Sequence, residues 1–190
     1  MTISSSDLYN DSTLACSATA TDLDNDSLNV TYEWSTGETS DSITLDGSLN
    51  PTDTVTCTAT LSDGTDSISG AESVILENRA PVVSNVSIDA DGVLWNGTTL
   101  TCSASVVDED GETPSLNYTW TLPDGIEIEG DSYVIDGMSD GDEIICTASS
   151  EDNYGGIDSD TASVTIENAA PTIDSIALDP SILDSQTSSV

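Results

Sequence analysis

The chain has 190 residues, with 36 Asp and Glu against one basic residue, Arg79, and its formal charge at pH 7 is −35. Nucleic acids and anionic membrane surfaces are held by cationic side chains, so neither is a partner. With no His and no Lys, and with every cysteine assigned below, Ser-His-Asp, Ser-Lys and Cys-His catalysis cannot be assembled within the chain.

In chain order, two halves repeat one framework. Cys16, Trp34, Cys57 and Pro81 are answered by Cys102, Trp120, Cys146 and Pro171, and Cys and Trp stand 18 residues apart both times. Leu8 to Leu14 matches Leu94 to Leu100, while Met1 and Ile3 fall near the strand positions of Val86 and Ile88. Apolar and polar residues alternate at Leu28, Val30, Tyr32 and Trp34, and again at Val55, Cys57, Ala59 and Leu61. Period two means strands with one face buried and one face in water. In the second half the same pattern, broken by turn words such as Pro123-Asp124-Gly125, predicts strands near 82–90, 98–107, 116–122, 126–129, 132–136, 143–150 and 161–167. No helical period is convincing. From Pro171 onward the sequence overlays that from Pro81, so the expected units are repeat one over 1–79, repeat two over 80–169, and at 170–190 the first strand of a third repeat or a strand donated to another copy. Repeat one lacks a counterpart of residues 78–85 ahead of its first strand. Met1 can therefore be an internal residue, and the chain reads as a window from a longer repetitive protein.

The four cysteines form matched pairs, Cys16 with Cys57 and Cys102 with Cys146, and structural disulfides made in an oxidising compartment are expected. A zinc site fits less well, because metal-binding cysteines usually come as closely spaced pairs and no CxxC is present. Sequons at Asn10, Asn25, Asn29, Asn85, Asn96 and Asn117 are candidate glycan acceptors. No apolar run is long enough to span a bilayer. A charge this large repels itself unless salt or bound cations screen it, which points to a saline or calcium-rich setting.

A cysteine on the second strand, a tryptophan on the third and a cysteine on the penultimate one resemble an immunoglobulin-like β-sandwich. The fold class expected is all-β: tandem sandwiches of about seven strands, each with one inter-sheet disulfide. The Tyr-x-Trp strand, the acidic loop before it and the Asn-x-Ala-Pro linker are similar to the PKD-like and cadherin-like repeats of large prokaryotic surface proteins. The antibody pattern is departed from twice. Its Cys-to-Trp spacing is shorter, and Val55 and Ile144 stand where a tyrosine corner would be.

The enlarged loops carry alternate acids, Asp22, Asp24 and Asp26 in repeat one and Asp108, Glu109, Asp110 and Glu112 in repeat two. Such carboxylates can converge on one hard cation, and calcium takes six to eight oxygens. The resemblance to cadherin-like repeats implies calcium at the junction, held by Glu77 and Asn78 of the linker with Asp108, Asp110 and Asp152. Two other readings stay open: solvated charge on loops of a very acidic chain, and Arg79 in the cation's place. Trp95 and its counterpart Tyr9, in turns, read as caps on the sandwich core, or else as aromatics that stack on a sugar or a neighbouring domain. Paired carboxylates alone can run glycoside hydrolysis, but no pair is singled out. The function expected is a non-catalytic module of an extracellular, cell-surface stalk, filament or adhesin, with further copies of the repeat, and glycans, as partners. The alternative is a carbohydrate- or protein-binding adhesion module, calcium-rigidified.

Overall fold

The computed structural model describes residues 1–177. In repeat one the strands are β1 (Thr2–Ser4), β2 (Thr13–Ser17), β3 (Asn29–Trp34), β4 (Ser42–Thr44), β5 (Thr54–Ser62) and β6 (Ser67–Ile75). Repeat two has β7 (Val82–Ala90), β8 (Thr99–Val107), β9 (Leu116–Thr121), β10 (Glu127–Glu129), β11 (Ser132–Val134), β12 (Glu143–Glu151) and β13 (Ile157–Thr165). No described residue is helical.

All pairings are antiparallel, and each repeat splits into two sheets: β1-β2-β4 with β3-β5-β6, then β7-β8-β11 with β10-β9-β12-β13. This is an immunoglobulin-like sandwich. Its fourth strand, β10, pairs with β9 rather than extending the β7-β8-β11 sheet as it would in a constant-type domain. The period-two pattern is realised directly, since β5 buries Val55, Cys57, Ala59 and Leu61, and β12 buries Ile144, Cys146 and Ala148. Cys16–Cys57 joins β2 to β5 and Cys102–Cys146 joins β8 to β12, so both disulfides tie the two sheets together. Trp34 lies opposite Cys57 and Trp120 opposite Cys146 in the strand registers, and both tryptophans are fully buried. The two cores are separate, one around Leu14, Trp34 and Val55 and the other around Leu100, Trp120 and Ile144.

Two details differ from expectation. Repeat one has six strands because only eight residues separate Trp34 from Ser42, against twelve between Trp120 and Ser132, and no room is left for a counterpart of β10. The last strand of repeat two runs over 157–165 rather than 161–167, because Gly155 takes φ +88° in a tight turn and the chain re-enters the sheet at once. Residues 171–177 form no strand and leave Ile173 and Ile176 exposed, as a segment whose sheet would come from a third repeat or another copy does alone; the remainder of that segment lies outside the described residues.

In repeat two β7 runs beside β13 as well as pairing with β8, with the Val83 amide donating to Asp158 at 2.7 Å. A bulge between Ser84 and Ser87, with Asn85 at φ +56°, bends the strand between these tasks. Pro81, fully buried at the head of β7, fixes where the linker enters repeat two.

Candidate functional site: the junction between the repeats

Residues 77–81 connect β6 to β7, and three loops close around them. The 8–12 turn comes from repeat one; the β8–β9 loop and the β12–β13 turn come from repeat two. The Glu77 amide donates to the Leu8 carbonyl, and the Glu167 amide donates to Leu94 in the same way, so both repeats end on one backbone device.

Arg79 is the hub. Its backbone amide and its Nε donate to the two carboxylate oxygens of Asp110, at 2.7 and 2.8 Å. One terminal nitrogen lies 3.2 Å from Asp11 and 3.4 Å from Glu109; the other reaches Asn10 Oδ1 at 3.1 Å and the Glu109 carbonyl at 3.0 Å. The guanidinium also sits 4.7 Å from the centre of the Tyr9 ring. Tyr9, Asn10 and Asp11 belong to repeat one, whereas Glu109 and Asp110 belong to repeat two. One side chain therefore grips both. Burial pushes the Arg79 pKa down, but the carboxylates of Asp11 and Asp110 outweigh it and hold the pKa above its ordinary value. Asn10, only 2% exposed, adds a direct bridge from its amide nitrogen to the Asp110 carbonyl at 2.9 Å.

A second cluster lies beside this clamp. Carboxylate oxygens of Asp108, Glu112 and Asp152 fall within 4.8 Å of one another, and Asn78 donates from Nδ2 to Asp152 Oδ2 at 2.8 Å. Asp108 Oδ1 accepts from the Asp110 amide at 2.8 Å, Glu112 Oε1 from Asn153 at 2.6 Å, and Asp152 Oδ1 from the amides of Tyr154 and Gly156, both at 2.8 Å. Burial raises the Asp152 pKa, yet the hydrogen bonds from Asn78, Gly156, Tyr154 and Gly155 together exceed it, leaving the carboxyl below its usual range. The packing is close: a Cβ on Gly156 would lie 2.7 Å from Ala80 Cα and 2.8 Å from Asn78 Nδ2, and would collide with Asp152 Oδ2.

Of the residues expected to hold a cation, Asn78, Asp108 and Asp152 come together. Glu112, named among the loop acids but not in the junction set that the resemblance implies, joins them. Asp110 does not, because its carboxylate is turned into Arg79, and Glu77 is exposed. Gly111, at φ +89°, reverses the chain between Asp110 and Glu112 and sends their side chains to different partners. Asp22, Asp24 and Asp26 stay apart from any such cluster among the described residues; Asp22 instead accepts from the amides of Asp24 and Asp26 within its own loop.

The aromatics expected as core caps do something else. Leu8 and Leu94 pack on the two cores, while Tyr9 lies under Arg79 and Trp95 is 43% exposed. Trp95 borders a hollow of about 400 Å³ shared with Asn96, Met138 and Glu167. Among the sequons, Asn25, Asn29, Asn85, Asn96 and Asn117 are exposed. Asn10 is buried with its amide nitrogen bonded to Leu49 and Asp110, so the folded protein does not offer that nitrogen to a glycan.

No protein-family model matches the chain, and no curated protein matches it in sequence. Among solved structures it is similar to the amphioxus IgVJ-C2 molecule, at 18% identity and a TM-score of 0.40, over 85% of this chain and 98% of that one. It is also similar to the three N-terminal domains of the bacteriophage RB49 highly immunogenic outer capsid protein, Hoc, at 19% identity and a TM-score of 0.33, over 87% of this chain and 57% of that one. Superposition this loose carries no argument, and the fold assignment rests on the sheet order and disulfides described above. Among the described residues no helix is long and apolar enough to cross a membrane.

Proposed function

We propose that the chain is a non-catalytic spacer unit of an extracellular repetitive surface structure, a stalk, filament or adhesin, in which consecutive sandwiches are held in a fixed relation. The observation that carries this reading is the use made of the chain's one cation. Arg79 sits on the linker and binds acids of both repeats together with the Tyr9 ring. Linkers that merely connect domains are exposed and make few contacts across the boundary. This one is engaged along its length, by the Glu77 amide, Asn78, Arg79 and buried Pro81. Disulfides in both repeats fit assembly outside the reducing cytoplasm.

Antibodies raised against the folded chain should label intact, unpermeabilised cells of the source, along projections visible by electron microscopy. Labelling that appears only after permeabilisation would overturn the reading. Exposed Trp95 beside its hollow favours a second reading, adhesion to a glycan. A glycan array would reveal that as binding lost on Trp95→Ala.

A further inference from the structure

The geometry points to a calcium site at the junction, formed by Asp108, Glu112 and Asp152 of repeat two with the side-chain oxygen of Asn78 from the linker. The inference deepens the spacer reading, since it names a ligand of the same junction, and it rests on observations separate from the Arg79 clamp.

Three side-chain oxygens of these four residues are fully buried and have no hydrogen-bond partner: Asp108 Oδ2, Glu112 Oε2 and Asn78 Oδ1. Asp108 as a residue is only 8% exposed. Buried polar atoms are nearly always paired, so three orphans together at one place mark something that accepts lone pairs. The bonding on the opposite sides of these groups is equally informative. In Asp108, Glu112 and Asn78 one polar atom is fixed by a neighbour within the protein, through Asp110, Asn153 and Asp152 respectively, and the other is free. That is the arrangement by which outer hydrogen bonds orient metal ligands.

Charge leads to the same conclusion. Three carboxylates within 4.8 Å repel one another, and the sole basic side chain of the protein is already committed to Asp11, Glu109 and Asp110. A water could bridge two of the free oxygens, but it would leave the three negative charges uncompensated. Oxygen-only ligands select a hard cation. Three carboxylates, each able to bind through one or two oxygens, plus one amide oxygen suit the six to eight ligands of calcium rather than magnesium, which keeps most of its waters and uses one or two carboxylates. Glu112 and Asp152 also border an open hollow of about 680 Å³, which gives the ion a way in.

The test is calcium titration of the chelator-stripped 190-residue chain by calorimetry, in 150 mM NaCl to suppress loose counterion binding to so acidic a surface. One saturable site is expected. Asp108→Asn and Glu112→Gln should each weaken it at least tenfold, while Asp26→Asn, on the exposed loop of repeat one, should leave it unchanged. Thermal melts keep the inference falsifiable if a variant folds differently. Glu112→Gln removes a repulsive charge, so in chelator it should melt no lower than the parent protein, whereas in millimolar calcium it should melt below it. No saturable heat, or equal weakening by Asp26→Asn, would overturn the site. A junction that is rigid without calcium leaves the spacer reading intact without this site, and calcium bound at a flexible junction leaves the site without the spacer.

Discussion

Replacing Cys102 and Cys146 together by Ala is expected to lower the stability of repeat two by about 4 kcal/mol, the loop-closure entropy returned to the unfolded chain when a cross-link of this span is lost. The bridge spans 44 residues and joins the two sheets through β8 and β12. It matters more here than in most sandwiches, because aromatic residues make up only 4% of the chain and Phe is absent, so each core is small. Hydrogen exchange read by mass spectrometry localises the effect. Peptides from β8, β9 and β12 should exchange much faster in the variant, and those from repeat one should keep their protection. A loss below about 1 kcal/mol in urea denaturation would show that the sheets of repeat two hold without the staple.

The second large effect is expected at Arg79. Its partner Asp110 has a side chain with no solvent exposure, so Arg79→Ala leaves a buried carboxylate uncompensated, a change that typically costs about 3 to 5 kcal/mol. Arg79→Lys should recover only part of this, because an ammonium cannot present the fork that meets Asp110, Asn10 and Glu109 at once. Asp11 is a different case. It is more than half exposed, and Asp11→Ala should cost under about 1 kcal/mol and less still in high salt. Equal losses for Asp11→Ala and Arg79→Ala would mean that Asp110 is not the partner that matters.

The sandwich architecture was legible because its signals are local and periodic. Alternation along β5 and β12 follows from a strand with one buried face, and the two Cys-Trp-Cys frameworks placed the second, third and penultimate strands of each repeat. The misplaced start of β13 has a physical cause: Ile157-Asp158-Ser159-Asp160 is mostly polar and exposed, so no alternation announces it. The missing tenth-strand counterpart in repeat one was readable in principle from the shorter interval between Trp34 and Ser42.

The junction was legible as a place but not as a set of contacts. The acidic word from Asp108 to Glu112 contains members of two constellations, and composition gives no means of dividing them. A left-handed glycine at 111 makes the division, sending Asp110 to Arg79 and Glu112 to Asp108 and Asp152. From the sequence, Arg79 and a cation are alternatives for one position. The structure has Arg79 bound to one set of acids and leaves a second set, beside it, without a positive charge among the described residues. The sequence leaves Tyr9 and Trp95 open between capping and outward stacking for a related reason, since an aromatic in a turn has the same sequence signature whether it faces its own core or a neighbour. The informative signal was the adjoining leucine, Leu8 or Leu94, which takes the core position itself.

Residual dipolar couplings of backbone amides in a weakly aligning medium test directly whether the engaged linker holds the two repeats in one orientation. In the wild-type protein one alignment tensor should fit the couplings of residues 2–75 and 82–165 together, and in Arg79→Ala the two segments should require tensors of different magnitude. Separate tensors already needed for the wild-type chain would contradict the account, because they would mean that the repeats reorient independently despite the clamp.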